Sequence, residues 1–493
     1  MSELKLAENL IRRTPRSSLK MPKRSIGLDY RRFGENGRHI TELPEFKQAA
    51  KRVVEFHTYL LNGNGDSLKD KEVVMTGWKT ESPYISNGEL DAIESAAKKL
   101  AKEIDIFCPI GTGGSYLYRA AIDAIMGSLE ISNLLTREER GGTPQIFFLG
   151  HNMDPSYTAN VLALMKGKRV GVNVISKSGG TVEPAIAFAI MKNLMEMSYS
   201  ADEVKERIVA ITDAKKGSLK SLAEQKGYKT FAVPDNVGGR YSVTCPVGLF
   251  SLAVGGVNIK EFIAGARFAE EQTRELPFEK NIAMLRAVMR YVAHKYMNKD
   301  IEVASTGIYD LRSTTSWFGQ LGPESEGHEG EGLWVSPEYY TQDAHANGQM
   351  IQMGKRNLIE TFFMVEDPGI DVIIPAKGTP VEYLDNKTLH FVNTAFIEGL
   401  RDAHYESRVP TMSYILSDLS AFTMGMYFQT EMNVIALGGL LLRQNPFIQP
   451  GVQQYKDIAN IRSGKPGTEE AAKKMKEIES KLNPEFTIAF ERK

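Results

Sequence analysis

The feature that most constrains this chain is a series of short apolar segments spaced too widely for hairpins. Ile106 to Ile110, Ile146 to Leu149, Gly171 to Ile175, Ile208 to Ile211 and Thr230 to Val233 are separated by stretches long enough to hold helical crossovers. Strands that alternate with helices in one sheet argue a parallel α/β layer architecture. A helix leads into the series, because from Asn87 onward Leu90, Ile93, Ala97, Leu100 and Ile104 recur at spacings of three and four. A second series follows Glu279, with Asn281 to Tyr296 as a helix, Ile301 to Ser305 as a strand, and Leu358 to Val365 and Asp371 to Ile374 as two more strands. The expected fold is α/β, with two such domains in tandem.

Composition narrows the function classes. At 493 residues the chain has room for about two to four structural units. Its 60 Lys+Arg against 61 Asp+Glu give a net charge of −1, which disfavours a nucleic-acid binder or a polybasic membrane protein. The two cysteines, Cys108 and Cys245, sit in apolar runs and cannot build a disulfide framework or a thiolate metal site within one chain, so a reducing cytoplasm is expected. Met1 to Lys20 lacks the apolar core of a secretory signal, and the longest apolar stretch, Val434 to Leu442, is far below membrane-spanning length. No membrane partner is expected. The first 85 residues read as an N-terminal extension with one helix, Glu45 to Leu61, and no legible chemistry. Gly467 to Leu482 reads as a surface helix, with Thr468 as N-cap and Glu469/Lys473 and Glu470/Lys474 at i,i+4.

Five motifs carry the chemistry. Gly111-Thr112-Gly113-Gly114-Ser115 follows the first strand, where glycine permits a tight turn and close approach to an anion, although the same turn serves packing alone. Ser176-Lys177-Ser178-Gly179-Gly180-Thr181 follows Gly171 to Ile175 and opens a helix. Three hydroxyls and unpaired N–H groups at a helix start suit a phosphate monoester, the other reading being a helix cap with extra serines. Asp235-Asn236-Val237-Gly238-Gly239-Arg240-Tyr241-Ser242 sets an arginine directly after two glycines, either against a bound anion or developing oxyanion or in a surface ion pair. The acidic run Pro323 to Gly332, with Glu324, Glu326, His328, Glu329 and Glu331, supplies a general base, a divalent-cation site or a solvated loop. Asn445 to Lys456 is a Pro/Gly-rich turn entering a helix, in which a lysine would ordinarily be solvated.

In this order the five motifs resemble the phosphoglucose isomerase family over roughly Ile106 to Lys456. The most specific piece is Asp235-Asn236-Val237-Gly238-Gly239-Arg240-Tyr241-Ser242-Val243-Thr244-Cys245-Pro246-Val247-Gly248, which matches one family signature throughout. The resemblance implies two tandem sugar isomerase (SIS) domains, each a parallel sheet flanked by helices, divided as 1–85, 86–275, 276–466 and 467–493. It also implies interconversion of glucose 6-phosphate and fructose 6-phosphate in glycolysis, with no cofactor and no metal. Gly114, Ser115, Ser176, Ser178, Thr181 and Gln449 would bind the sugar phosphate, Glu324 would shuttle the proton, Arg240 would stabilise the enediolate, and His345 and Lys456 would assist ring opening. His345 would come from a neighbouring subunit of a homodimer. Ile448 stands where the family usually has aspartate and Gln453 where it has glutamate, which bears on how Lys456 is held. Two other readings are a bifunctional enzyme that also accepts mannose 6-phosphate, and a sugar-phosphate-binding regulator without turnover. The regulator would keep the phosphate loop and lack the base.

Overall fold

A computed structural model describes residues 10–13, 24–62, 74–177 and 179–489. Its strands in chain order are β1 (Ile11–Arg13), β2 (Ile26–Asp29), β3 (Gly34–Glu35), β4 (Arg38–His39), β5 (Ile106–Ile110), β6 (Gln145–Ile146), β7 (Val170–Ile175), β8 (Ile208–Thr212), β9 (Lys229–Ala232), β10 (Ile301–Thr306), β11 (Trp334–Tyr339), β12 (Leu358–Asp367), β13 (Ile370–Val372) and β14 (Thr411–Asp418). The helices that position the site are α1 (Pro44–Asn62), α2 (Asn87–Glu103), α3 (Val182–Ser198), α4 (Pro246–Val254), α5 (Ile259–Glu275), α6 (Ile282–Met297), α7 (Arg312–Glu326) and α8 (Ala421–Leu441).

Two sheets organise the chain. The first has the order β6-β5-β7-β8-β9 and is parallel throughout. The second has the order β11-β10-β12-β14-β2, in which only β2 runs antiparallel. The fold is therefore α/β with parallel sheets flanked by helices, as the alternating pattern predicts. In the first sheet β5, β7 and β8 are buried at every position, which is why they read as unbroken apolar runs. α2 is capped by Ser86, whose Oγ accepts from the Glu89 N–H at 3.2 Å, and it buries Leu90, Ile93, Ala97 and Leu100. That is the stripe its sequence spacing predicts.

Three expectations need correction. The strand expected at Ile146 to Leu149 shortens to β6, with a single further bridge between Ile110 and Leu149. Asp371 to Ile374 does not join the second sheet. Pro368 and Gly369 (φ 80°) turn the chain after β12, and β13 pairs instead with β1 in a separate ribbon. Thr468 occupies the expected cap position but makes no side-chain cap bond, its hydroxyl donating to the Lys465 carbonyl at 2.7 Å.

The stretch read as an N-terminal extension also contributes to the layers. β2 forms an edge of the second sheet, and Arg52 on α1 donates to the Tyr291 hydroxyl at 3.1 Å and the Leu441 carbonyl at 3.0 Å, tying α1 to α6 and α8. α8 is buried on every side, as a helix without a polar face must be.

The chain divides into two compact units, 1–447 and 448–493. The second consists of α9 (Gln453–Arg462) and α10 (Glu469–Glu479), joined by an ion pair from Arg462 to Glu479 at 2.6 Å. Of the two i,i+4 pairs expected on α10, Glu470 and Lys474 lie 3.6 Å apart, whereas Glu469 accepts from the Gly467 N–H at 3.0 Å. Among the described residues no helix is long and apolar enough to cross a membrane.

Candidate active site

Because β5, β7 and β9 run parallel, the three loops that follow them emerge at one edge of the first sheet, where ligands of open α/β sheets bind. The loops also touch. Lys177, in the loop after β7, donates from Nζ to the Asp235 carbonyl at 2.7 Å in the loop after β9. Gly114, after β5, packs so closely on the loop after β9 that a Cβ there would stand 1.9 Å from the Gly239 carbonyl oxygen and 2.7 Å from the Arg240 nitrogen. Only glycine fits that contact.

Within this edge Ser115 lies in the helical turn Gly114–Leu117, its N–H donating to the Thr112 carbonyl at 3.1 Å. The Ser176 hydroxyl accepts from the Gly179 N–H at 3.0 Å, which folds the loop back on itself. Thr181 takes the N-cap position of α3 without a side-chain cap bond. Ser178, expected beside them, lies outside the described residues.

Arg240 is 4% exposed, which overturns the alternative of a surface ion pair. It sits in the turn Gly239–Tyr241 and donates from Nε to Ser325 Oγ at 2.7 Å and from Nη2 to the Pro446 carbonyl at 2.7 Å. Its Nη1 lies 3.5 Å from Glu324 Oε1, and the Glu324 side chain keeps 24% of its surface exposed. Glu324 therefore reaches solvent while Arg240 supports it from beneath.

α7 carries Glu324 in its last turn and Gln320 one turn earlier, and the Gln320 amide donates to Glu324 Oε2 at 2.8 Å. Gln320 also lies over the first loop, since a Cβ at Gly113 would stand 2.9 Å from its Nε2. Gln320 and Ser325 escape a reading by motif. The i,i+4 spacing of Gln320 and Glu324 on one helix is the signal that could have found the first.

Two further carboxylates of the acidic run point elsewhere. Glu326 turns to Arg290 at 2.6 Å, and Glu331 to Lys295 at 2.6 Å and His294 at 3.2 Å. They do not converge on a common point as cation ligands would.

His345 closes a short turn, Gln342–His345, and is exposed. Its loop is fixed at both ends, by the Tyr339 N–H donating to Asp343 Oδ2 at 2.6 Å and by the Asn347 amide donating to Glu338 at 2.9 and 3.0 Å. Among the described residues no hydrogen bond or ion pair joins His345 to Glu324 or Arg240 of the same chain. In the second unit Gln449 precedes the turn Pro450–Val452, and Lys456 is exposed on α9. Gln453, one of the two departures from the family pattern, donates to Asp457 Oδ1 at 2.8 Å.

A phosphoglucose isomerase family model matches residues 72–343, which span the first sheet, its three loops, Arg240 and Glu324. The chain belongs to the phosphoglucose isomerase family. Among its relatives in that family are the glucose-6-phosphate isomerases of Symbiobacterium thermophilum, 39% identical over 83% of this chain and 90% of that protein, and of Clostridioides difficile, 38% identical over 82% and 90%. A hypothetical protein of Thermus thermophilus superposes with a TM-score of 0.76 at 28% identity, covering 89% of this chain and 99% of that one. The glucose-6-phosphate isomerase of Chlamydia trachomatis shares the fold with a TM-score of 0.71 at 19% identity, covering 93% and 92%. Phosphoglucose isomerase membership and the paired Arg240 and Glu324 thus fall on the same residues.

Proposed function

We propose that the chain interconverts glucose 6-phosphate and fructose 6-phosphate through a cis-enediolate. The observation that carries this is the Arg240–Glu324 pair at 3.5 Å, set at the loop edge of the first sheet in a family whose relatives are named for that activity. Moving a proton between C1 and C2 beside a carbonyl needs a base and a cation for the developing oxyanion. Glu324 takes the proton from one carbon and returns it to the other. Arg240, held by Ser325 and Pro446, faces the enediolate oxygens without having to reorganise.

Gly114, Ser115, Ser176, Ser178 and Thr181 grip the phosphate, and that binding energy positions the sugar. His345 and Lys456 assist opening of the pyranose ring, and Gln449 contacts the substrate. The family resemblance implies that His345 serves the site of a second copy in a homodimer, and its exposed position is compatible with that. The role proposed needs neither metal nor redox cofactor. The segments 86–275 and 276–466 are proposed as two SIS-type domains, 467–493 as a helical tail and 1–85 as an N-terminal extension that adds β2 and α1 to the second of them, and the enzyme as a cytoplasmic one of glycolysis and gluconeogenesis. A regulator without turnover would have no use for a base beside a buried arginine, and neither it nor a mannose 6-phosphate activity is favoured.

The test is conversion of fructose 6-phosphate by EDTA-treated protein, with wild type beside Glu324→Gln. Wild type turns over, and the variant binds sugar phosphate but loses about two or more powers of ten in kcat, the usual contribution of a general base. A wild type that binds without turnover would sink the proposal.

A further inference from the structure

Two residues beyond Glu324 stands a carboxylate that the proposed reaction does not use. Glu326 is 1% exposed and accepts at Oε1 from Arg290 Nη1 at 2.6 Å. Arg290 Nε donates to Glu302 Oε2 at 2.6 Å, Arg286 Nη2 donates to Glu302 Oε1 at 3.0 Å, and Arg286 Nε donates to Glu431 Oε1 at 3.0 Å. Three carboxylates and two guanidinium groups are thus buried between α6, α7, α8 and β10. Burial acts to raise all three carboxyls. At Glu302, between Arg290 and Arg286, it is outweighed and the carboxyl is held down to about 2, whereas at Glu326 and Glu431 it prevails against the neighbouring guanidinium.

Such a cluster is a weak source of stability, because desolvation cancels most of its attraction and apolar residues of like volume often do as well. Two further observations indicate what it does here. Pro323 lies in the last turn of α7 and has no N–H for the carbonyl four residues back, so the turn that carries Glu324 lacks one of the helix's own hydrogen bonds. α8 is also notched at this point. A Cβ at Gly438 would stand 2.4 Å from Glu326 Oε1, and one at Gly439 would stand 3.0 Å from Pro446 Cβ and 3.6 Å from the Ser325 carbonyl oxygen. The notch therefore receives Glu326 together with Ser325 and Pro446, and the last two are the groups that hold Arg240.

We infer that the Arg290–Glu326 pair, seated against Gly438, is a positioning device for the reaction: it anchors the end of α7 so that Glu324 and Arg240 meet the substrate in one fixed relation. Glu326 touches no substrate and acts through its neighbours. The inference rests on the reading of Glu324 as the base.

The test uses full-length Glu326→Gln, Gly438→Ala, Arg290→Met and Arg290→Lys beside wild type and Glu324→Gln, measuring kcat, KM for fructose 6-phosphate and thermal unfolding. Glu326→Gln is expected to lower kcat about tenfold or more while KM stays within about threefold, since displacement of reacting groups by an ångström costs rate more than binding. Gly438→Ala, which removes no charge and favours the helix, should do the same by crowding the carboxylate. Arg290→Lys should recover part of the kcat lost in Arg290→Met. A purely structural cluster would lower the melting temperature and leave kcat per folded molecule unchanged, and that result in Glu326→Gln and Gly438→Ala overturns the inference. Failure of both variants to fold overturns it too, by placing the cluster among the requirements of the core. If Glu324→Gln keeps wild-type kcat, the base reading itself is what fails.

Discussion

At position 114 one methyl group is too many. A Cβ there would stand 1.9 Å from the Gly239 carbonyl oxygen, which belongs to backbone and cannot swing aside as a side-chain tip can. Gly114→Ala must therefore push the first loop away from the loop carrying Arg240, and a shift of that kind misplaces the proposed phosphate grip relative to the proposed oxyanion donor. Gly114→Ala is expected to lower kcat/KM about 100-fold, and steady-state kinetics that agree with wild type would refute the close approach. Arg240→Lys is expected to cost about two to three powers of ten in kcat, because one ammonium cannot serve Ser325, Pro446 and the proposed enediolate from a fixed fork. Measurement of kcat for this variant at saturating fructose 6-phosphate checks it. At this scale the motifs singled out Gly114, Arg240 and Glu324, which the fold brings together. Gln320 and Ser325 were not legible there, since their roles arise from the phase of α7 and from what Arg240 happens to meet across the chain.

Among the elements, the segment before α2 changes most in meaning once the fold is seen. Residues read as an extension without chemistry include the turn Gly77–Thr80, where Trp78 stacks on Tyr241 at 5.0 Å and the Gly77 N–H donates to the Asn236 carbonyl at 3.0 Å, under the loop that carries Arg240. The turn is fastened by Lys79, which is fully buried and reaches Glu270 on α5 at 2.7 Å and Asn433 on α8 at 2.6 Å. Removing one member of a buried pair leaves the other desolvated, so Lys79→Met is expected to destabilise the protein by about 3 kcal/mol. Arg274, 2.8 Å from Glu270, keeps the loss from growing further. Thermal unfolding indistinguishable from wild type would refute the fastening role. The same scale shows why some elements could be read and others not. α2 announces itself through a stripe. α8 has none, because it is buried all round, and only its last apolar residues stood out. β11 is interrupted by Pro337, which is tolerated because the strand lies at the sheet edge.

For the molecule as a whole, the buried titratable groups set how stability varies with pH, and His57 offers the cleanest test. It lies on α1, 4% exposed, with an Nε2 that has no hydrogen-bond partner. Burial, reinforced by the positive charge of Lys79, lowers its pKa from 6.5 to about 4. An unfolded chain binds a proton at His57 below about 6.5 that the folded chain does not bind until about 4, so stability contributed by the neutral imidazole is intact above 6.5 and declines as pH falls through that window. His151, lowered to about 4 by burial and by Arg119, has the same sign. Glu326 and Glu431 have the opposite sign, because a raised carboxyl pKa favours the folded state at the acid end of its window. The wild-type profile therefore mixes both effects, and a difference between two proteins separates them. His57→Leu removes one proton-linked group and leaves the rest, so the variant should lose less melting temperature than wild type between pH 7 and pH 4, by an amount equivalent to roughly 1–3 kcal/mol. Parallel profiles for the two proteins would mean that His57 titrates normally in the folded state, and that the α1 layer over α6 and α8 admits water where the structure closes it.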